Sequence, residues 1–286
     1  LTLAPASSAA PVSRYNADMS IPLDAASIAE QCAAARNGLA IEVTASTLST
    51  NTDLRQRIGQ LRAPLLLAAE EQTAGRGRAG RSWLVAAGDS LCFSVAWPLR
   101  GSVARLAGLP LAIGVALAEQ LRERGHYVTL KWPNDLLLDC AKLGGILVES
   151  VPARVDGNAV LWVIIGIGLN VHPNASRDLE VGNEVAALGS DMDRNVLLAE
   201  LADALVAALA LFDTQGLAPF VDRWQRWHAF AGLPVMIVEQ GKLLHQGMAR
   251  GIDAMGCLLL ETDDGLVSIA AGDVSLRADK GLSTWS

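Results

Sequence analysis

Lysine is nearly missing from this 286-residue chain. Only Lys131, Lys142, Lys242 and Lys280 occur, and the first two share one short segment, KWPNDLLLDCAK. Cysteine is as sparse: Cys32, Cys92, Cys140 and Cys257 have no close pair and no neighbouring histidine. That spacing excludes a clustered metal site and a disulfide framework, and leaves buried thiols in a reducing cytoplasm as the expectation. The four histidines are equally scattered, which argues against a histidine-based triad. Net positive charge is also absent: the formal charge is −7 and the pI about 5.1. General nucleic-acid binding, which draws most of its affinity from phosphate contacts, is therefore not expected. The most apolar run, AVLWVIIGIGLNV, falls short of the ~20 residues of a spanning helix. The first residues lack a basic region ahead of an apolar stretch, so neither a membrane span nor a secretory signal is expected.

What the chain does have is glycine and arginine interleaved. Glu70 to Trp83 reads EEQTAGRGRAGRSW, with Arg76, Arg78 and Arg81 alternating with Gly75, Gly77 and Gly80. Apolar strand-like runs flank it, APLLLAA before and SLCFSVAWPL after. A loop almost without side chains is costly in backbone entropy and a packed core does not need one. A site that wraps an anion does, since glycine lets the backbone approach and arginine supplies planar donors. The glycine spacing satisfies G-x-G-x-x-G, but a dinucleotide fold requires a helix directly after the loop, and the following residues read as strand. A minor-groove hook requires a basic, disordered context that this chain lacks.

The remaining texture predicts alternating strands and helices: a short helix ending at Gly38, a strand LAIEVTAS, and a helix start at Ser49-Thr50-Asn51. A helix within Val103 to Arg124 follows, with Pro110 near its start. Short strands VTLKW, DLLLD and LGGILVESV come next, then a central strand AVLWVIIGIGLNV. Two helices, over Asn195 to Phe212 and over GLAPFVDRWQRWHAF, are expected to face the sheet. From Gly232 onward, short strands and glycine turns read as a small β-barrel. The expected division is an N-terminal extension 1–38, a main region 39–231, and a barrel 232–286. The extension is shorter than the ~50 residues of a small domain, so no DNA-binding module is expected within it.

Three constellations carry chemistry. The first is the glycine–arginine loop. The second is Lys131, Asp135 and Lys142, with Gly144 and Gly145 leaving room beside Lys142 for a ligand. Cations of this kind suit phosphates and a carboxylate suits Mg²⁺. The third is Asn170, ending a buried strand and needing a backbone or ligand partner. Each lysine taken alone reads as surface charge, and Ser49 taken alone as a plain N-cap.

Together these pieces resemble the biotin protein ligase family. The matching segments are STN at 49–51, EQTAGRGRAGRSW at 71–83, KWPNDLLL at 131–138, KLGGILVE at 142–149, GIGLN at 166–170 and GDVSLR at 272–277. The resemblance implies an α+β fold, a mixed sheet packed against helices as in class II synthetases, followed by an SH3-like barrel. It implies that biotin is activated with ATP and Mg²⁺ to biotinoyl-5′-AMP, then transferred to a lysine of a biotin carboxyl-carrier protein. By resemblance, Ser49, Thr50, Asn51 and Gln72 contact the biotin head. Arg76, Gly77, Arg78 and Arg81 belong to a loop that orders over the ligand, and Trp83 forms the tail pocket. Lys142 and Arg78 are the catalytic cations, with Gly145 beside Lys142. Lys131 faces phosphate, Asp135 a metal ion, and Asn170 and Arg277 the nucleotide. The segment 174–190, where members close on adenine, has no aromatic, which leaves Val185 or Leu188 for that contact. A lipoate ligase shares the chemistry, and a non-catalytic carrier-binding module is the rival from another class. Some family members dimerise through sheet edges, which leaves a homodimer open; DNA and membrane partners are not expected.

Overall fold

A computed structural model describes residues 21–83, 87–100, 103–155, 157–173, 185–239, 241–272 and 274–278. It is a mixed α+β structure built on two sheets. The larger has seven strands in the order β1-β2-β3-β7-β6-β5-β4. These are β1 Ala40–Thr47, β2 Leu65–Gln72, β3 Ser90–Leu99, β4 Thr129–Lys131, β5 Asp135–Leu138, β6 Ala141–Val155 and β7 Asn158–Asn170. Only β1 and β2 pair in parallel; the other neighbours are antiparallel. The apolar run expected at the centre, β7, lies between β3 and β6.

Both faces of this sheet are covered, and strand alternation sorts the side chains. On β2, Leu66 and Ala68 enter the main core, while Leu65 and Leu67 join a smaller cluster with Leu54, Ile58, Trp162 and Ile164. The smaller cluster lies under α3, Thr50–Arg57. The main core lies under α4, Leu109–Glu123, where Pro110 occupies the first turn and costs no hydrogen bond.

Three expectations change. The first helix is two, α1 Ala25–Gln31 and α2 Ala33–Arg36. The break at Cys32 is held by Asp203, whose carboxylate accepts from Ala33 N at 3.0 Å and Ala34 N at 2.6 Å. Burial, reinforced by that carboxylate, pushes the Cys32 thiol up to about 11. Second, β6 is a long strand of 15 residues, because residues 144–155 find partners on β7 while Ala141 and Lys142 pair with β5. Third, α5, Arg194–Gln215, packs mainly on α4 and α1. The next helix is reduced to a 3₁₀ turn and α6, Val221–Arg226. By length and composition α5 is apolar enough to cross a membrane, yet it starts with Arg194 and Asn195 buried against protein.

The second sheet is antiparallel, in the order β11-β10-β9-β8-β12. Its strands are β8 Pro234–Glu239, β9 Lys242–Ile252, β10 Leu258–Thr262, β11 Gly265–Ile269 and β12 Val274–Ala278. It is not separate from the first: Val235, Ile237, Leu260 and Leu276 share the main core, and Trp132 Nε1 donates to Gly256 O at 3.1 Å.

Candidate active site

A cavity of about 530 Å³ opens where the two sheets meet. Its walls are the start of α3, the end of β2, the loop 76–83, the β4–β5 turn, β6, β7 and residues Gly272, Val274 and Leu276. Ser49, Thr50, Asn51, Gln72, Arg76, Gly77, Arg78, Arg81, Trp83, Lys131, Asp135, Lys142, Gly145 and Asn170 all line it. The structure thus gathers residues spread over more than a hundred positions.

One end is neutral and densely hydrogen-bonded. Ser49, Thr50 and Asn51 are buried at the first turn of α3, and Ser49 makes no capping hydrogen bond with its side chain. Thr50 N donates to Gln72 Oε1 at 2.8 Å, which ties α3 to β2. Asn51 Nδ2 donates to Glu149 Oε2 at 2.7 Å. Asn51 fits because residue 166 is glycine; a Cβ there would lie 2.3 Å from Asn51 Oδ1.

The other end is cationic. The β5–β6 hairpin turns at Asp139 and Cys140, with φ of 50° and 64°, as a two-residue turn with both centres left-handed. Its ladder pairs Leu137 with Lys142 and Leu136 with Gly144, so the register shifts between them. An extra residue at this point re-aims the side chains that follow. Lys142 thereby shares the face of Asp135, and Lys142 Nζ lies 2.7 Å from Asp135 Oδ1. Lys131 Nζ is 3.8 Å from Asp135 Oδ2. Burial lowers the pKa of Lys131; Asp135 opposes this, while Lys142, Arg81 and Arg277 add to the lowering.

The metal expectation at Asp135 is not supported. Both carboxylate oxygens face lysines, and no group of three or more His, Cys, Asp or Glu converges among the described residues. Mg²⁺ seeks several oxygen ligands in a near-octahedral shell. This donor set does not fit a protein-held ion, so no step below is routed through one.

Gly144 also departs from expectation. A Cβ on it would lie 2.7 Å from Gly168 O, so this glycine permits β6 and β7 to approach. Gly145 does line the cavity.

The arginine loop forms a hairpin-like cover. Gly77 N donates to Arg81 O at 2.7 Å and Trp83 N to Gly75 O at 2.8 Å. Ala79, with φ of 54°, makes its tip. Arg76 pairs with Glu149 at 3.1 Å. Arg78 donates to Asn134 Oδ1 at 3.1 Å and to Gly272 O, between β11 and β12. Trp83 packs against β7 in the cavity wall, where glycine at 168 makes room for it: a Cβ there would lie 2.3 Å from the ring. Its centroid is 5.8 Å from Lys142 Nζ.

At the nucleotide end Asn170 lines the cavity and also braces the backbone, while Arg277 departs from what the resemblance implies. Asn170 Nδ2 donates to Ala186 O at 3.1 Å and Lys142 O at 3.4 Å, holding residues 185–188 against β6. Arg277 does not line the cavity; strand alternation turns Val274 and Leu276 inward and leaves Arg277 exposed. Its charge reaches Lys131 only at a distance. Val185 is at the wall and Leu188 is buried in the core, while 174–184 lies outside the described residues. Sequence reasoning missed Ser94, Glu149, Val274 and Leu276. Ser94 carried a faint signal, a hydroxyl within an apolar strand.

Residues 41–170 match the biotin/lipoate A/B protein ligase family, and residues 235–277 match the biotin protein ligase C-terminal domain. The bifunctional ligase/repressor BirA of Escherichia coli is 41% identical over 234 residues, which are 80% of this chain and 72% of that protein. The biotin–acetyl-CoA-carboxylase ligase of Paracoccus denitrificans is 34% identical, over 80% of this chain and 98% of its own. Among solved structures, the biotin protein ligase of Aquifex aeolicus in complex with biotin and ATP superposes with a TM-score of 0.68 at 27% identity. That match covers 84% of this chain and 99% of that one.

Proposed function

The chain belongs to the biotin protein ligase family, and from that premise we propose that it joins biotin to a lysine of a biotin carboxyl-carrier domain in two steps driven by ATP. First a biotin carboxylate oxygen attacks the α-phosphorus, the bond to pyrophosphate breaks, and biotinoyl-5′-AMP forms. The carrier amine then attacks the anhydride carbonyl, loses a proton, and AMP leaves.

The observation that carries this reading is the polarity of the cavity. A neutral, hydrogen-bonded end at Ser49, Thr50, Asn51 and Gln72 faces a cationic end at Lys131 and Lys142. A substrate with an uncharged polar head and a carboxylate tail fits that gradient, with its tail delivered to the phosphates. Step one brings a carboxylate onto a polyanion, and cations fixed in advance offset the repulsion and the charge that develops on phosphorus. Lys142 is the cation at the reacting centre and Lys131 a phosphate contact. Asp135 holds Lys142. Arg76, Gly77, Arg78 and Arg81 cover the ligand, and Trp83, Gly145 and Gly168 shape the channel for the tail. A closed cover keeps the anhydride from water.

In this reading residues 39–231 bind biotin and ATP, and residues 232–286 complete the wall through Gly272, Val274 and Leu276. The partner is the carrier domain of a biotin-dependent carboxylase, and the compartment that supplies it and ATP is the cytoplasm. Mixing the chain with biotin and ATP should release pyrophosphate, and adding a carrier domain should transfer labelled biotin to it. Labelling by lipoate but not biotin would overturn the assignment.

A further inference from the structure

Ser94 sits within β3 with no exposed surface, and its hydroxyl is set among the residues at the neutral end of the cavity. Ser94 Oγ donates to Asn51 Oδ1 at 2.6 Å and lies 2.6 Å from Thr50 Oγ1. Thr50 in turn donates its backbone N–H to Gln72 Oε1 at 2.8 Å, with its hydroxyl oxygen 3.2 Å from the same atom. Asn51 Nδ2 donates to Glu149 Oε2. The chain Gln72–Thr50–Ser94–Asn51–Glu149 therefore crosses the head end without a gap.

Its two termini set a direction. A backbone N–H only donates, so the Gln72 oxygen turns to Thr50 and the Gln72 amide nitrogen turns away, toward Gly75. A Cβ on Gly75 would lie 3.1 Å from that nitrogen. The Glu149 carboxylate, partner of Arg76, accepts, so the Asn51 nitrogen faces it and the Asn51 oxygen faces Ser94. The one hydrogen of Ser94 is then committed to Asn51, and its oxygen accepts from the Thr50 hydroxyl. Networks of this kind are strong when complete and costly when broken.

We infer that Ser94 is a positioning residue for biotin: without lining the cavity, it locks Thr50 and Asn51 in register so that the Gln72 amide N–H is held out toward a carbonyl oxygen on the ligand head. The inference rests on the biotin ligase reading above. It assigns head-group selectivity to a hydroxyl in the core, and it separates binding of the head from chemistry at Lys142, which lies on β6.

The test is isothermal titration of biotin into the wild type, Ser94→Ala and Ser94→Cys, with steady-state pyrophosphate release alongside. Ser94→Ala leaves the Asn51 oxygen without its donor and the Thr50 hydroxyl without its acceptor, and should weaken biotin about tenfold in both Kd and KM. Turnover at saturating biotin and KM for ATP should stay within about twofold. Ser94→Cys keeps a weak donor in a slightly larger side chain, so it should fall between the two and serves if the alanine variant does not fold. Unchanged biotin affinity in a folded variant would overturn the inference, as would equal losses for biotin and ATP, which mark general loosening. A wild type that binds no biotin would instead overturn the functional reading itself.

Discussion

Lys142 Nζ and Asp135 Oδ1 are 2.7 Å apart, brought to one face of a hairpin by a shift in strand register. The pair is only partly exposed, and Lys131 approaches the same carboxylate from its other oxygen. Removing Lys142 should therefore remove charge at the reacting centre with little loss of packing. We expect Lys142→Ala to lower pyrophosphate release by roughly 10²–10³-fold, with the thermal midpoint nearly unchanged. Wild-type turnover in that variant would reassign the reacting cation.

Asp135→Asn separates the holding role from a metal role. If the carboxylate orients Lys142, turnover should fall about tenfold, an estimate based on one charge-assisted hydrogen bond, and the Mg²⁺ concentration for half-maximal rate should not move. A titration midpoint displaced to much higher Mg²⁺ would restore Asp135 as a ligand of the ion.

Much of this architecture is legible in the chain, and what was not has identifiable causes. The strands at β2, β3 and β7 follow from apolar runs bounded by turn residues, and α4 from its proline start. The site residues followed from motif resemblance; their convergence depends on sheet order, which local pattern does not encode. Arg277 shows the limit, since its motif position is right and its side chain points outward. Ser94 and Glu149 escaped because their work lies in partners 43 and 98 residues away. The break at Cys32 escaped for the same reason, its cap being Asp203.

Gly166 gives the sharpest steric test. A methyl group there would meet Asn51 Oδ1 at 2.3 Å, and Asn51 is held from two sides. Overpacking of this kind costs about 1–3 kcal/mol, part of it taken from ligand binding because Asn51 must shift. Gly166→Ala should raise the biotin Kd at least tenfold in isothermal titration, and an unchanged Kd would show that Asn51 does not order the head end.

Glu70 and Arg194 hold the start of the described chain to the sheet. Arg194, 2% exposed, places Nη1 2.7 Å from Glu70 Oε2 and also donates to Ile21 O at 3.1 Å. Deleting Glu70 leaves a buried guanidinium without its counter-charge, a change that costs about 3–5 kcal/mol. Urea unfolding of Glu70→Ala should show a loss of that order, and a Glu70→Ala/Arg194→Met double variant should recover part of it. If the double variant were no more stable than the single, the unpaired charge would not be the cause.

His228 makes stability depend on pH. Its ring is buried between Trp224, at a centroid distance of 4.5 Å, and Phe230, and neither ring nitrogen has a hydrogen-bond partner among the described residues. Burial alone lowers its pKa from 6.5 to about 4, because the imidazolium would be stranded among apolar groups. Well above pH 6.5 the histidine is neutral in both folded and unfolded chains and adds no pH dependence. As pH falls from 6.5 toward 4, only the unfolded chain takes up the proton, so stability declines, by about 3 kcal/mol at ~1.4 kcal/mol per pH unit. Below about 4 the folded chain protonates too and this contribution levels off. His228→Leu should abolish that share of the decline while leaving stability at pH 7 within about 1.5 kcal/mol of wild type. Urea midpoints for both proteins at pH 7 and pH 4.5 measure it; equal declines in the two would place the acid sensitivity elsewhere.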